Sequence, residues 1–153
     1  MGEPPSLYGT YFILIAAAFM LGNFTAGRIR VRIGLARTIV LASVGAVLGT
    51  SVCLAFFAFG VWTPWALFVP MMFTTFVQGV ALPNAQAAIV SVDPEAAGAA
   101  SGLGGFLQMG LGAVAAQGVG SMQLGSPLPM AVGIWACTCA MLLFGLWAVR
   151  QRV

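Results

Sequence analysis

Histidine and lysine are both missing from this chain, and its only carboxylates are Glu3, Asp93 and Glu95. These gaps exclude most chemistry. Without histidine, and with every acid outside the long apolar runs, there is no base for a hydrolytic site. A proton relay through a membrane uses Asp, Glu or His inside the spans, and none can be built here. Cys53, Cys137 and Cys139 all fall inside apolar runs. A Cys-x-Cys pair with no histidine and no further thiols is a weak metal signal, so the expectation is buried, inert thiols. The chain therefore reads as a non-enzyme, with no catalytic residues, no metal site and no cofactor.

Charge of either sign is scarce. Charged residues make up 6% of the chain and hydrophobic ones 61%, whereas a soluble domain devotes about a quarter of its residues to charge. A soluble fold of this length needs a polar shell that these residues cannot supply. The surface must face lipid. Three neutral runs, Pro4 to Gly27, Thr38 to Val92 and Ala96 to Val149, separate the charged clusters. A spanning helix takes about 20 apolar residues. The first run holds one span, and each of the others holds two. They break at Gly60-Val61-Trp62-Thr63-Pro64 and at Gln123 to Pro129, where glycine and proline interrupt helices. The predicted fold is an all-α membrane protein, a single domain over 1–153, with spans at 7–27, 38–60, 65–92, 98–122 and 129–149. A β-barrel needs alternating apolar and polar residues, and these runs are apolar on all sides.

Orientation follows from the arginines. With five spans, Arg28, Arg30, Arg32, Arg37, Arg150 and Arg152 all fall on one side. The positive-inside rule makes that side, and the C-terminus, cytoplasmic. A count of four or six spans would divide them. Trp62 and Trp65 fall at the opposite turn, where amphipathic rings favour the interface. The arginines are accounted for by orientation, so no nucleic-acid partner is expected. The first span lacks a basic start and runs directly into arginines, as a stop-transfer segment does, so it is not read as a cleaved signal.

Within the spans, small residues are spaced for helix contact. Gly45 and Gly49 form a GxxxG pair, and Gly98, Gly102, Gly105, Gly112, Ala116 and Gly120 step along the fourth span. Ser101, Gly105, Gln108 and Gly112 share one stripe, predicted to turn inward. Pro70 and Pro83 mark expected kinks in the third span, because proline removes a helical donor. Around Pro83 stand Gln78, Asn84 and Gln86, amides that are costly in lipid unless partnered. Gln78 and Gln86 lie about 80° apart on a helical wheel, while Asn84 points elsewhere. Asn23 and Gln108 are similar isolated amides.

The order is span, arginine-rich segment, span, outer turn, proline-containing span, short acidic loop, glycine-rich span, outer turn, span. It resembles the latter part of a major facilitator superfamily transporter. Leu7-Tyr8-Gly9-Thr10-Tyr11-Phe12 and Gly22-Asn23-Phe24 are similar to helix eight of the Bcr/CflA-type drug-resistance family. Gly79-Val80-Ala81-Leu82-Pro83-Asn84-Ala85-Gln86-Ala87 is similar to helix ten, and Ala96 to Leu103 through Gln108 to the entry into helix eleven. The superfamily's loop signature, Gly-x-x-x-Asp-Arg-x-Gly, maps to Gly27, Arg32 and Gly34. Val31 occupies its acidic position, so the role of that carboxylate does not carry over, while a tight loop with a cytoplasmic charge does.

The resemblance implies helices eight to twelve of a twelve-helix, proton-coupled exporter of drugs or metabolites, located in the bacterial inner membrane. The coupling carboxylates would then belong to the missing N-terminal half, which joins the lipid bilayer and small molecules as an implied partner. By that geometry the first, third and fourth spans border the cavity and the second and fifth lie further out. Asn23, Gln78, Asn84 and Gln108 are the substrate-cavity candidates. The alternative is a non-transporting helper subunit or a degenerate remnant.

Overall fold

A computed structural model describes residues 5–91, 95–121 and 128–151. It contains five helices: α1 (Pro5–Ile33), α2 (Leu35–Ala58), α3 (Pro64–Val90), α4 (Ala97–Ser121) and α5 (Leu128–Arg150). All five are long and apolar enough to cross a membrane. Large apolar side chains such as Phe12, Met20, Phe24, Leu48, Phe106, Met109, Leu143 and Phe144 point outward along four of them, a surface that suits lipid.

The first predicted loop is corrected. Arg28, Arg30 and Arg32 continue α1, which runs as far as Ile33; only Gly34 separates it from α2. Arginine is a good helix former, and basic side chains in a last turn complement the helix dipole. Gly27 therefore lies inside a helix, not at a tight loop. Gly34 makes the reversal alone. Its φ of 86° and ψ of 161° fall in a region open essentially to glycine. Its N–H donates to the Arg30 carbonyl at 2.8 Å, and its carbonyl accepts from the Thr38 N–H at 3.1 Å and the Thr38 hydroxyl at 2.7 Å.

The second turn follows the prediction more closely. α2 ends two residues before its predicted limit, in a Schellman motif: Gly60 at φ 77°, with Gly60 N–H donating to Phe57 O and Val61 N–H to Phe56 O. The Thr63 hydroxyl then accepts from Ala66 N–H, and Pro64 opens α3. α3 runs helical through both Pro70 and Pro83 to Val90. The turn predicted at 123–129 lies mostly outside the described residues, as do Asp93 and Arg152.

Contacts fix the directions of the helices. Tyr8 and Tyr11 meet Phe68, and Gly22 meets Gly79, so α1 and α3 run parallel. Gly45 meets Val77 while Gly49 meets Thr74 and Pro70, so α2 and α3 are antiparallel. Ser51 bonds Trp135 and Ser43 faces Gly145, so α2 and α5 are antiparallel too. Gln86 with Gln108 and Ile89 with Gly104 set α4 against the run of α3. Arg28, Arg30, Arg32, Arg37 and Arg150 consequently gather at one end of the bundle, and Trp62, Trp65 and the two tyrosines at the other.

α3 is the centre. α1 and α2 both pack on it, while α1 and α2 touch each other little. At the α1–α3 crossing the backbones themselves meet. A Cβ on Gly22 would fall on the Phe76 carbonyl and 3.0 Å from Gly79 Cα; one on Gly79 would fall on the Phe19 carbonyl. Near the tryptophan end, Tyr11 stacks on Phe68 with ring centroids 4.5 Å apart and meets Trp65 edge-on at 5.4 Å. Cys53, Phe57, Ala66 and Ala131 form the core between α2, α3 and α5. The α2–α5 seam carries hydroxyls: Thr50 and Thr138 lie 2.9 Å apart, and Trp135 Nε1 donates to Ser51 Oγ at 2.9 Å.

α4 departs from expectation. None of its residues is buried. Ser101, Gln108 and Gly112 are exposed and Gly105 half-exposed, so the stripe predicted to turn inward does not do so among the described residues. A Cβ on Gly98, Gly102, Gly105, Gly112 or Gly120 would meet no atom within 4 Å. Sequence periodicity identifies a face suited to close packing but cannot say which helix, if any, covers it.

Candidate functional site

The gap between α4 and its neighbours is a cavity of about 470 Å³. α4 is held at two places. At one, the Gln86 amide on α3 donates to the Gln108 carbonyl oxygen at 3.3 Å, beside Ile89 and Gly104. At the other, Val119 presses on Gly133 of α5. The cavity is walled by Thr74 and Gln78 of α3, Ala116 and Val119 of α4, and Cys137 and Thr138 of α5.

Its polarity is concentrated in few groups. The Thr74 hydroxyl is satisfied by the Pro70 carbonyl at 2.8 Å, and Thr138 by Thr50 and the Trp135 carbonyl. Gln78, half-buried in the middle of α3, has no hydrogen-bonding partner among the described residues. It offers an amide donor and a carbonyl acceptor to whatever enters. Among the described residues no formal charge lines the space. A neutral, largely apolar solute with one or two hydrogen-bonding groups matches such walls.

The four amides named as cavity candidates separate. Gln78 lines this cavity. Gln108 is exposed and pairs with Gln86 at the edge of the α3–α4 contact. Asn84 is 2% exposed and donates to the Val80 carbonyl of its own helix at 2.8 Å. Asn23 donates to the Phe19 carbonyl at 3.1 Å, beside the glycine crossing. The last two satisfy backbone acceptors one turn earlier, which is how an isolated amide avoids an unpaired group in lipid. Gln78 and Gln86 both turn toward α4, Gln78 across the cavity and Gln86 through its bond to Gln108, while Asn84 is buried against its own helix.

The lining also differs from the geometry implied by the resemblance. α5 supplies one wall, and α1 supplies none. Cys137, expected to be buried and inert, is exposed on that wall; Cys53 is buried and Cys139 intermediate. The difference follows from α4 standing off α5. Thr74 and Thr138 were not singled out in the sequence. The spacing of Thr74 and Gln78, four residues apart on one helical face, carries a usable signal, whereas nothing local distinguishes Thr138.

No family model, curated protein or solved structure matches this chain.

Proposed function

We propose that the chain is a multi-pass inner-membrane protein that forms helices eight to twelve of a Bcr/CflA-type major facilitator transporter, a proton-coupled exporter of small organic molecules. Its C-terminus is cytoplasmic. The observation that carries this reading is the state of α4: a glycine-rich spanning helix that buries none of its residues in its own chain. Small residues stabilise membrane helices only when another backbone comes close. A face of this kind calls for a counterpart, and a second six-helix half that rocks against this one would supply it. Arg28, Arg30, Arg32, Arg37 and Arg150 at one end of the bundle support the orientation. Gln78, on a largely apolar cavity wall, is the residue assigned to solute contact.

Ethidium efflux tests this directly. Cells expressing these residues alone should show none, because the chain holds no coupling carboxylate inside a span. Cells expressing them in frame with the remaining N-terminal spans should show proton-dependent efflux. In that complete protein, Gln78→Ala should change drug resistance at unchanged expression. Robust efflux by the five helices alone, or unchanged resistance of the variant across several substrates, would refute the reading.

A further inference from the structure

At the arginine end, the seam between α2 and α5 is flanked by two apolar grooves. One, of about 170 Å³, runs between α2, α3 and α5, walled by Ile39, Ala88 and Gly145. The other, of about 320 Å³, lies further round α2, walled by Val40, Leu41 and Leu146. Ala36 and Val149 line both, so the grooves converge at one end of the seam. Arg37 stands in the wall of the second at that end, exposed, with no ion pair or hydrogen bond to its guanidinium among the described residues. Arg150 follows Val149 directly. Arg28, by contrast, is engaged elsewhere, 4.5 Å above the Phe24 ring.

We propose that this cleft binds one anionic phospholipid, with an acyl chain in each groove and its phosphate on Arg37. The shape argument is the convergence: two apolar channels that open from one charged point match two chains that leave one headgroup. The grooves alone cannot select a lipid, because bilayer tails are as apolar as their walls. Selection comes from the Arg37 guanidinium, which has no ion pair among the described residues and whose planar donors suit a phosphate. Arg150 adds to the local positive potential and disfavours a zwitterionic headgroup by comparison. The site is separate from the cavity at Gln78, and its occupancy does not depend on transport.

The test is native mass spectrometry of the whole chain, reconstituted in bilayers of phosphatidylglycerol and phosphatidylcholine and released in mild detergent. One retained phosphatidylglycerol per chain is expected, enriched over its bilayer proportion by about fivefold, the effect of roughly one arginine near a membrane surface. Arg37→Gln should return retention to the bilayer proportion. Arg32→Gln, which removes an equal charge from the same end but lies outside the grooves, should leave it enriched. Arg37→Lys, which keeps the charge but not the planar fork, should fall between wild type and Arg37→Gln and guards against misfolding of the latter. The lyso form, with one chain, should be retained less than the two-chain lipid. Equal retention of the two headgroups by the wild-type chain, or equal losses in Arg32→Gln and Arg37→Gln, would overturn the site. Equal retention of the lyso form would overturn the two-groove placement.

Discussion

Replacing Gly79 by alanine tests the α1–α3 crossing most sharply. Two terms oppose each other. Alanine is favoured over glycine in a helix by about 1 kcal/mol. Against that, the added methyl falls on the Phe19 carbonyl and 3.1 Å from both Asn23 N and Gly22 Cα. Overpacking usually costs about 1–3 kcal/mol, and here the obstructing atoms are backbone, so no side chain can rotate away. The upper part of that range applies, and the net expectation is a loss of about 1–2 kcal/mol. Gly112→Ala provides the control. It sits on α4, with nothing within 4 Å of its new methyl, so only the propensity term acts and the variant should be as stable as wild type or up to about 1 kcal/mol more so. The assay is detergent-titrated unfolding of the purified chain in mixed micelles, followed by circular dichroism. Gly22→Ala should resemble Gly79→Ala, and the double variant should lose less than the sum, because helices already forced apart accommodate the second methyl. Equal stability of Gly79→Ala and Gly112→Ala, or strict additivity of Gly22→Ala with Gly79→Ala, would refute the close crossing.

Gly34→Ala should destabilise by about 1–3 kcal/mol in the same titration, since φ 86° with ψ 161° is strained for any side chain; a variant as stable as wild type would mean the α1–α2 reversal does not use that conformation. Thr138→Val should cost only about 0.6 kcal/mol, a typical value for one interhelical hydrogen bond in a membrane protein, because Thr50 retains the Ala46 and Val47 carbonyls as acceptors; a double-mutant cycle with Thr50→Val measures it, and zero coupling would contradict the 2.9 Å contact. A membrane-permeant maleimide should alkylate Cys137 well before Cys53, which is buried in the core, with peptide mapping as the readout; Cys53 reacting first would contradict the open cavity wall.

The five helices could be read from the neutral runs because their number depends on length and polarity, which are local. Their ends were less legible where residues serve helix and loop alike. Three arginines within five residues look like a polar loop, yet each is a sound helix former, and the whole reversal devolves on Gly34. The GxxxG pair at Gly45 and Gly49 packs against α3 as small residues suggest. The glycines that step along α4, Gly98, Gly102, Gly105, Gly112 and Gly120, have no described atom within 4 Å of an added methyl, although there are more of them. Gly22 and Gly79 carried no spacing signal of their own, because the close approach joins two glycines 57 positions apart, on different helices. Of the four amides expected at the site, only Gln78 lines the cavity, while Gln108 pairs with Gln86 outside its lining. Asn23 and Asn84 share the chemistry of the glutamines, but their shorter side chains reach the carbonyl four residues back, and that choice is made by local geometry the composition does not reveal.

The one-residue joint at Gly34 bears on how the bundle is held together. α1 and α2 share little beyond that joint, so this hairpin has almost no interface of its own. Its cohesion arrives with α3, which brings Gly79 against Gly22 on one side and Thr74 against Gly49 on the other. α5 rests on that unit through the Thr50 and Ser51 hydroxyls, while α4 touches α3 at Gln108 and α5 at Val119. Without α3 the first two helices would be held together by little more than Gly34, whereas α1, α2 and α3 together make a unit with two packed interfaces.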